Sequence, residues 1–439
     1  MYRKWLVWGS LLLLLLLMTI GPGMAEGTAL PGISGAAPET PAPLPDGAEE
    51  QDARDITMAC GLNGYWDHQA MEKIRDGKPR TIWESKPVNS EHSLTVEAPE
   101  GEIIGALLLS WRTFPVAVDI QEWNETTETW ETKLTGDADF NAQYIPIPGM
   151  TKIKIVAHEG AYTPLKLCEI RVMTPGKLPE DFQIWKKPEG QADLMLIHAH
   201  PDDEVLWFGG VLPLYAGEMG KNVVVVTGTF SSYDRRIELL DCLWACGVRN
   251  YPVFLGYEDV YTSSLNTMYR SWKRQRVTDD LAELYRQYRP KVVVLHDLNG
   301  EYGHGAHRAL SDCGMRAVAV AADPDSLPDS AWNVGTWDVP KVYVHLWKEN
   351  PIRMDWHVPL ERFGGKTALE AAQDAFQFHR SQVQKGYWLV TDGGLYDNSL
   401  FGLYHTTVGL DTGKGDFFEH ISGEETYAAG FVVRDEADK

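Results

Sequence analysis

Basic residues are scarce in this chain. Its 439 residues carry 40 Lys and Arg against 62 Asp and Glu, a formal charge of −22. That balance excludes nucleic acid and anionic membrane surfaces as partners held by bulk electrostatics. A neutral or cationic sugar stays compatible with it. Cysteine is sparse too: the five residues leave at least one thiol unpaired if no other chain is involved. No internal repeat is present, which sets aside solenoid arrays. Only one long apolar run occurs, from Trp5 to Ile20, and it falls short of the roughly 20 residues a spanning helix needs. Arg3 and Lys4 precede it and Gly23-Met24-Ala25 follows, so residues 1–25 read as an export signal cleaved after Ala25. The expected product is secreted or held at the cell surface, with no stable membrane span after cleavage. No Cys follows closely enough for a lipid anchor.

What is present describes a folded protein, 44% hydrophobic with 16 Trp and 18 Tyr. Its length suggests more than one domain. Residues 26–55 are rich in Ala, Pro, Gly and acids without apolar periodicity, and predict a disordered linker. Residues 56–175 read as all-β. Ser93–Glu97, Ala117–Gln121, Lys152–Val156 and Lys166–Val172 alternate polar with apolar side chains between turn residues, the pattern of an antiparallel sandwich. Cys60 and Cys168 bracket this segment and are candidates for a disulfide. Cys242, Cys246 and Cys313 read as buried small hydrophobes.

Pro-rich residues 176–191 predict a second linker, after which the period changes. Leu194–His198, Val223–Thr227, Tyr251–Leu255 and Lys291–Asp297 are nearly continuous apolar strands. Helical stretches at Arg235–Gly247, Val277–Tyr288 and Thr367–Gln384 accompany them. Such alternation predicts an α/β, Rossmann-like domain with a mainly parallel sheet over residues 192–425, and a tail over 426–439.

The stretch His198-Ala199-His200-Pro201-Asp202-Asp203-Glu204 closes the first of these strands. Strand carboxyl ends are where open α/β sheets place ligands, and so many ionisable groups beside apolar runs serve no folding purpose. His200 and Asp203 are positioned to face one point. Gly303-His304-Gly305-Ala306-His307 follows the Val292 strand and emerges on the same sheet edge. Two imidazoles, one carboxylate and an open position make a catalytic zinc site, although other divalent metals take the same donors. His198, on the strand itself, reads as a core histidine. His379 reads equally well as packing beneath the site.

Two resemblances join these readings. Arg75-Asp76-Gly77-Lys78 with Trp83, Leu107-Leu108-Leu109-Ser110-Trp111, Trp130 and the closing Leu167–Val172 resemble a discoidin or coagulation-factor C-type domain. That family implies a β jelly roll, often a carbohydrate or lipid binder, with cysteines joining its first and last strands as Cys60 and Cys168 would. Core packing is the expected role of Trp83, Trp111 and Trp130; a sugar-stacking platform is the alternative.

From Ala192 to Ile421 the chain resembles the PIG-L/LmbE family of zinc-dependent N-acetylglucosaminyl de-N-acetylases. The carriers are Ala199–Glu204, Arg235 with Glu238, Gly303–His307, His379-Arg380-Ser381-Gln382 and Leu403–Gly409. The resemblance implies His200, Asp203 and His307 as zinc ligands and Asp202 as general base. It also implies His304 as a donor to the tetrahedral intermediate and Arg235, or alternatively Arg236, as a substrate contact. Glu204 would support the ligands or their loop. The chain departs from the family at Gly305-Ala306, where an Asp is common, so His304 lacks a local carboxylate and Glu301 or Asp297 would have to compensate. The function implied is hydrolysis of the N-acetyl group from a GlcNAc-containing glycan or glycoside. A non-catalytic glycan-binding or adhesion protein, or a metal amidase acting on a different amide, are the alternatives. Oligomeric state is not legible.

Overall fold

The computed structural model describes residues 51–64, 68–87, 91–113, 117–137, 139–158, 163–230, 232–386, 388–424 and 426–427. The expected signal, most of the first linker and nearly all of the tail lie outside the described residues. No helix among the described residues is long and apolar enough to cross a membrane.

Nine short strands build the amino-terminal half: β1 Gly61–Asn63, β2 Trp83–Glu84, β3 Ser93–Glu97, β4 Ile104–Trp111, β5 Val118–Asn124, β6 Thr129–Gly136, β7 Ala142–Met150, β8 Lys152–Ala157 and β9 Lys166–Met173. They pair antiparallel as β1-β3-β8-β5-β6 and β2-β9-β4-β7. Leu94, Ile120 and Ile155 of one sheet pack with Leu107, Leu109 and Trp111 of the other in a single core. Trp83 and Trp111 are core residues. Trp130 instead stays half-buried, edge-to-face with Trp123 at 5.4 Å and under the Lys154 ammonium. Cys60 and Cys168 are buried free thiols rather than a disulfide. Cys60 belongs to the sandwich core, whereas burial pushes Cys168 up to about 12 beside Arg112.

The carboxy-terminal half is a seven-stranded sheet in the order β12-β11-β10-β13-β14-β16-β15. Its strands are β10 Leu194–His198, β11 Val223–Phe230, β12 Val253–Glu258, β13 Val292–Leu295, β14 Lys341–His345, β15 Pro351–Arg353 and β16 Leu400–Thr406. Strands β10 to β14 pair parallel, and β16 returns antiparallel between β14 and β15. Every residue of β10 and β13 is buried, as expected for strands covered on both faces.

The described end of the first expected linker and the second expected linker are packed. Asp52 and Asp55 bridge to Lys177 and Met173, so ordered backbone reaches back into the stretch that read as disordered. Within 176–191, Phe182 and Trp185 are buried, and Trp185 meets Trp244 and Tyr251 edge-on at 5.2 and 5.8 Å. These rings join Ala106, Leu108 and Met173 of the sandwich to the core of the α/β half. The second sandwich sheet is thus apolar on both faces, which accounts for the consecutive leucines of β4. Arg236 donates to Asn141 Oδ1 at 3.0 Å across this boundary, and Arg112 pairs with Asp234 at 3.3 Å.

Candidate metal centre and active site

β10 ends at His198, and the chain turns at once into a one-turn helix, Asp203–Leu206. β13 ends at Leu295, and the helix Gly305–Ala322 starts ten residues later. Because β10 and β13 are adjacent and parallel, the two turns lie side by side at the carboxyl edge of the sheet. The His and Asp residues singled out from the sequence meet there.

Three donor atoms form a nearly equilateral triangle. His200 Nδ1 lies 3.2 Å from Asp203 Oδ2 and 3.2 Å from His307 Nε2, and His307 Nε2 lies 3.3 Å from Asp203 Oδ2. Tetrahedral zinc with bonds of about 2.0–2.1 Å places neighbouring donors about 3.3 Å apart, so the residues fit the ion. All three side chains are buried. Asp203 is held well below the usual carboxylate range, His307 and His200 outweighing the upward push of burial.

Outer hydrogen bonds aim these donors, as is common at metal sites. His307 Nδ1 meets Glu301 Oε2 at 2.5 Å, which leaves Nε2 with its lone pair. Trp207 Nε1 donates to Asp203 Oδ1 at 2.8 Å. His200 Nε2 lies 3.3 Å from Asp259 Oδ1. Glu301 also receives His296 Nδ1 at 2.9 Å and His345 Nδ1 at 3.0 Å. Ala199 N–H donates to His296 Nε2 at 3.0 Å, so that nitrogen is occupied although His296 stacks 4.2 Å from His307. His198 is satisfied within the core: Nδ1 meets the His200 carbonyl at 2.8 Å and Nε2 meets Thr227 Oγ1 at 2.9 Å.

Asp202 stands beside the triangle in an unusual backbone conformation, φ 121°. Its N–H donates to Glu204 Oε2 at 2.8 Å, and Glu204 Oε1 meets His379 Nε2 at 2.5 Å. Both Glu204 and His379 are fully buried. Against burial, which raises it, His379 holds the Glu204 carboxyl down at about 2. The helix expected over Thr367–Gln384 breaks to permit this contact: it runs Ala368–Phe376, and His379 leaves helical geometry before a short turn at Arg380–Val383. Ser381 N–H fixes the break by donating to Glu238 Oε1 at 2.9 Å. Burial pushes the Asp202 carboxyl up to about 6, with Arg235 pulling it down. Arg235 Nη2 lies 3.1 Å from Asp202 Oδ2 and donates to the Pro201 carbonyl, while its buried Nε has no hydrogen-bond partner. Arg236 points to the sandwich instead.

His304 caps the helix Gly305–Ala322, its Nδ1 accepting from Ala306 N–H at 3.2 Å. The ring proton therefore sits on Nε2. Burial and the neighbouring His200 and His307 push its pKa down to about 3, so it is a neutral donor. Neither Glu301 nor Asp297 serves as its missing acid. Glu301 is taken by His296, His307 and His345, and Asp297 accepts from Asn299 N–H at 3.1 Å. A donor atom of His304 lies within 4.8 Å of those of His200 and His307, at the edge of the triangle.

Of the residues that aim the donors, sequence reasoning missed Trp207, His345 and Asp259. Trp207 was accessible, since it lies one helical turn after Asp203; the others come from distant segments.

A His-Asp-His donor triangle with an adjacent carboxylate at the edge of a parallel sheet is the kind of donor set that can hold a divalent metal for hydrolysis. More particularly, residues 195–318 match the family described as PIG-L, GlcNAc-PI de-N-acetylase. One relative is the 1D-myo-inositol 2-acetamido-2-deoxy-alpha-D-glucopyranoside deacetylase 1 of Catenulispora acidiphila, 32% identical over 186 residues, 36% of this chain and 56% of the relative. Its counterpart from Frankia casuarinae is 34% identical, covering 34% of this chain and 57% of the relative. The chain thus spans just over half the length of these curated relatives. The family 32 CBM of C. perfringens NanJ, solved with galactose, covers 28% of this chain and 98% of its own, at 20% identity and TM-score 0.23.

Proposed function

We propose that this protein is an exported, zinc-dependent hydrolase that removes the N-acetyl group from a GlcNAc-containing glycan or glycoside. The observation that carries the reading is the donor triangle of His200, Asp203 and His307 with the Asp202 carboxylate beside it. Export rests on the amino-terminal pattern of Arg3, Lys4 and the following apolar run. Deacetylation is the activity in the names of the relatives. The bound metal would lower the pKa of a water and polarise the acetamide carbonyl.

The chain's own groups do the rest. Ionised Asp202 takes a proton from the water as its oxygen attacks the acetyl carbon, and Arg235 holds the carboxylate in place. His304 Nε2–H donates to the developing oxyanion, a contact worth about 3 kcal/mol at comparable sites. Because His304 is neutral with Nδ1 engaged, it supplies a hydrogen bond and not a proton. Asp202 then returns its proton to the nitrogen as the C–N bond breaks, releasing acetic acid and the amine, which in water at neutral pH become acetate and the ammonium.

The test is acetate release from a panel of GlcNAc glycosides and chito-oligosaccharides by the intact zinc-loaded chain. Release of acetate supports the reading. Stoichiometric zinc with a different acyl product favours the amidase alternative, and a chain that binds no zinc favours the adhesion alternative. The sandwich should stay attached in these assays, because removing it exposes the shared core around Leu108, Phe182 and Trp185.

A further inference from the structure

We infer that the mouth of this site is a stacking platform for a chain of neutral sugar rings, so that the enzyme takes an oligosaccharide in preference to a single GlcNAc. The inference rests on the deacetylase reading above and names its substrate class. Aromatic rings run without a gap from the metal ligands to solvent. Trp207, whose Nε1 binds Asp203, lies 5.8 Å from Tyr302 and 5.1 Å from Trp388. Tyr302 and Trp388 are 5.1 Å apart and inclined by 33°, so together they offer a broad surface. Trp388 opens to solvent, and Leu389 beside it is 79% exposed, as is Leu395 at 78%. Tyr261, 87% exposed, stands 5.4 Å from His304. Gly305 N–H holds its loop by donating to the Thr262 carbonyl at 2.6 Å.

Large apolar side chains are seldom left this exposed around a catalytic centre without a ligand to cover them. Pyranose rings present C–H faces that pack on aromatic rings while their hydroxyls stay wet, which suits amphipathic Tyr and Trp. The exposed rings reach the site through two of its members, Trp207 beside Asp203 and His304 beside Tyr261, so more than one sugar ring can find an aromatic contact. The charge of −22 favours uncharged rings over anionic glycans.

The experiment measures kcat/KM for acetate release from GlcNAc and its β-1,4 oligomers of two to five residues, using the zinc-loaded full chain. An octyl glycoside of GlcNAc is run beside them. The expected gain from one ring to three is about 10-fold or more, the scale of one or two aromatic contacts. Trp388→Ala and Tyr261→Ala should each remove most of that ratio, while Trp332→Ala, an exposed tryptophan on the separate helix Pro328–Val334, should leave it intact. Calorimetric titration of the trimer into Asp202→Asn protein, with and without Trp388→Ala, reads the same platform without turnover and should show about 10-fold weaker binding. A flat dependence on chain length, a ratio untouched by both substitutions, or an octyl glycoside that outperforms the trimer would overturn the platform while leaving the deacetylase reading in place. Acetate from no substrate would overturn both.

Discussion

The proposed base, Asp202, has its backbone at φ 121°, and Glu204 Oε2 accepts its N–H at 2.8 Å, so on that mechanism Glu204 would hold the base in place. A non-glycine residue in such a region costs about 1–3 kcal/mol and persists only where its surroundings over-determine it. Glu204→Ala removes the acceptor of the Asp202 N–H and leaves the buried His379 without its carboxylate. Relaxation of that strain corresponds to about 5- to 150-fold in population, so kcat should fall by roughly 10- to 100-fold. Zinc content should stay near stoichiometric, because none of His200, Asp203 and His307 is touched. Breaking a buried pair by removing one partner should also cost about 3–5 kcal/mol of stability. Glu204→Gln is the discriminating companion. Its amide oxygen keeps the bond to Asp202 N–H and its NH2 can donate to a neutral His379 Nε2, so kcat should recover to within about 10-fold of the parent. The folded pKa of Glu204, about 2 against 4.5, lies below its ordinary value. Its stabilisation is therefore complete above about pH 4.5 and lost as pH falls towards 2, a dependence Glu204→Gln should flatten. Steady-state kinetics, metal analysis and denaturation across pH read all three effects. A Glu204→Ala enzyme within about threefold of parental kcat would refute the positioning role, as would a Glu204→Gln enzyme as slow as Glu204→Ala.

Asp202→Asn should retain zinc by elemental analysis and lose about 10²–10⁴ in kcat, the usual weight of a general base. Because the ionised carboxylate is the active form, kcat/KM should drop tenfold per pH unit on the acid side. That limb should lie no higher than about pH 6, where burial and the opposing Arg235 together leave Asp202, since a bound cation would pull it lower still. Glu301→Gln withdraws the carboxylate that aims His307 and should weaken zinc about 10- to 100-fold in chelator competition. His307→Ala should abolish stoichiometric zinc altogether.

Four of the five parallel strands, β10 to β13, were legible because each is a nearly unbroken apolar run, which only a strand covered on both faces can use; β14 Lys341–His345 was not read. The same logic was available for Leu107-Leu108-Leu109. Three consecutive leucines cannot all face one side of a sheet, and their outer member packs against the α/β half. The stretch 176–191 read as a linker because Pro and Gly punctuate it, yet Phe182 and Trp185 are the seam between the halves. Strands β15 and β16 passed unread: one is three residues at a sheet edge opening with Pro351, and the other interrupts its apolar residues with Gly402. The break at His379 carries no Gly or Pro to announce it.

The site divides along the same line. His200, Asp202 and Asp203 share one turn, so their proximity was local and readable. Glu204 and His379 are 175 residues apart, and nothing in either segment states their pairing. Gly305-Ala306 marks a more instructive boundary. Its lack of an Asp suggested a histidine without an orienting group, and a distant acid was the natural expectation. The fold uses none. A side chain at Gly305 would meet the Thr262 carbonyl at 2.6 Å, and position 306 is buried in the apolar core, so neither place can take a carboxylate. The free N–H groups of a helix amino terminus are orphan donors, and one of them supplies the bond that an Asp would otherwise make. It differs from a carboxylate in one respect that matters for catalysis: a donor at Nδ1 fixes the neutral tautomer, whereas an acceptor there would favour the imidazolium. On the proposed mechanism, His304 would then be an oxyanion donor and not a proton source, and both proton transfers would fall to Asp202, on the turn whose N–H Glu204 accepts.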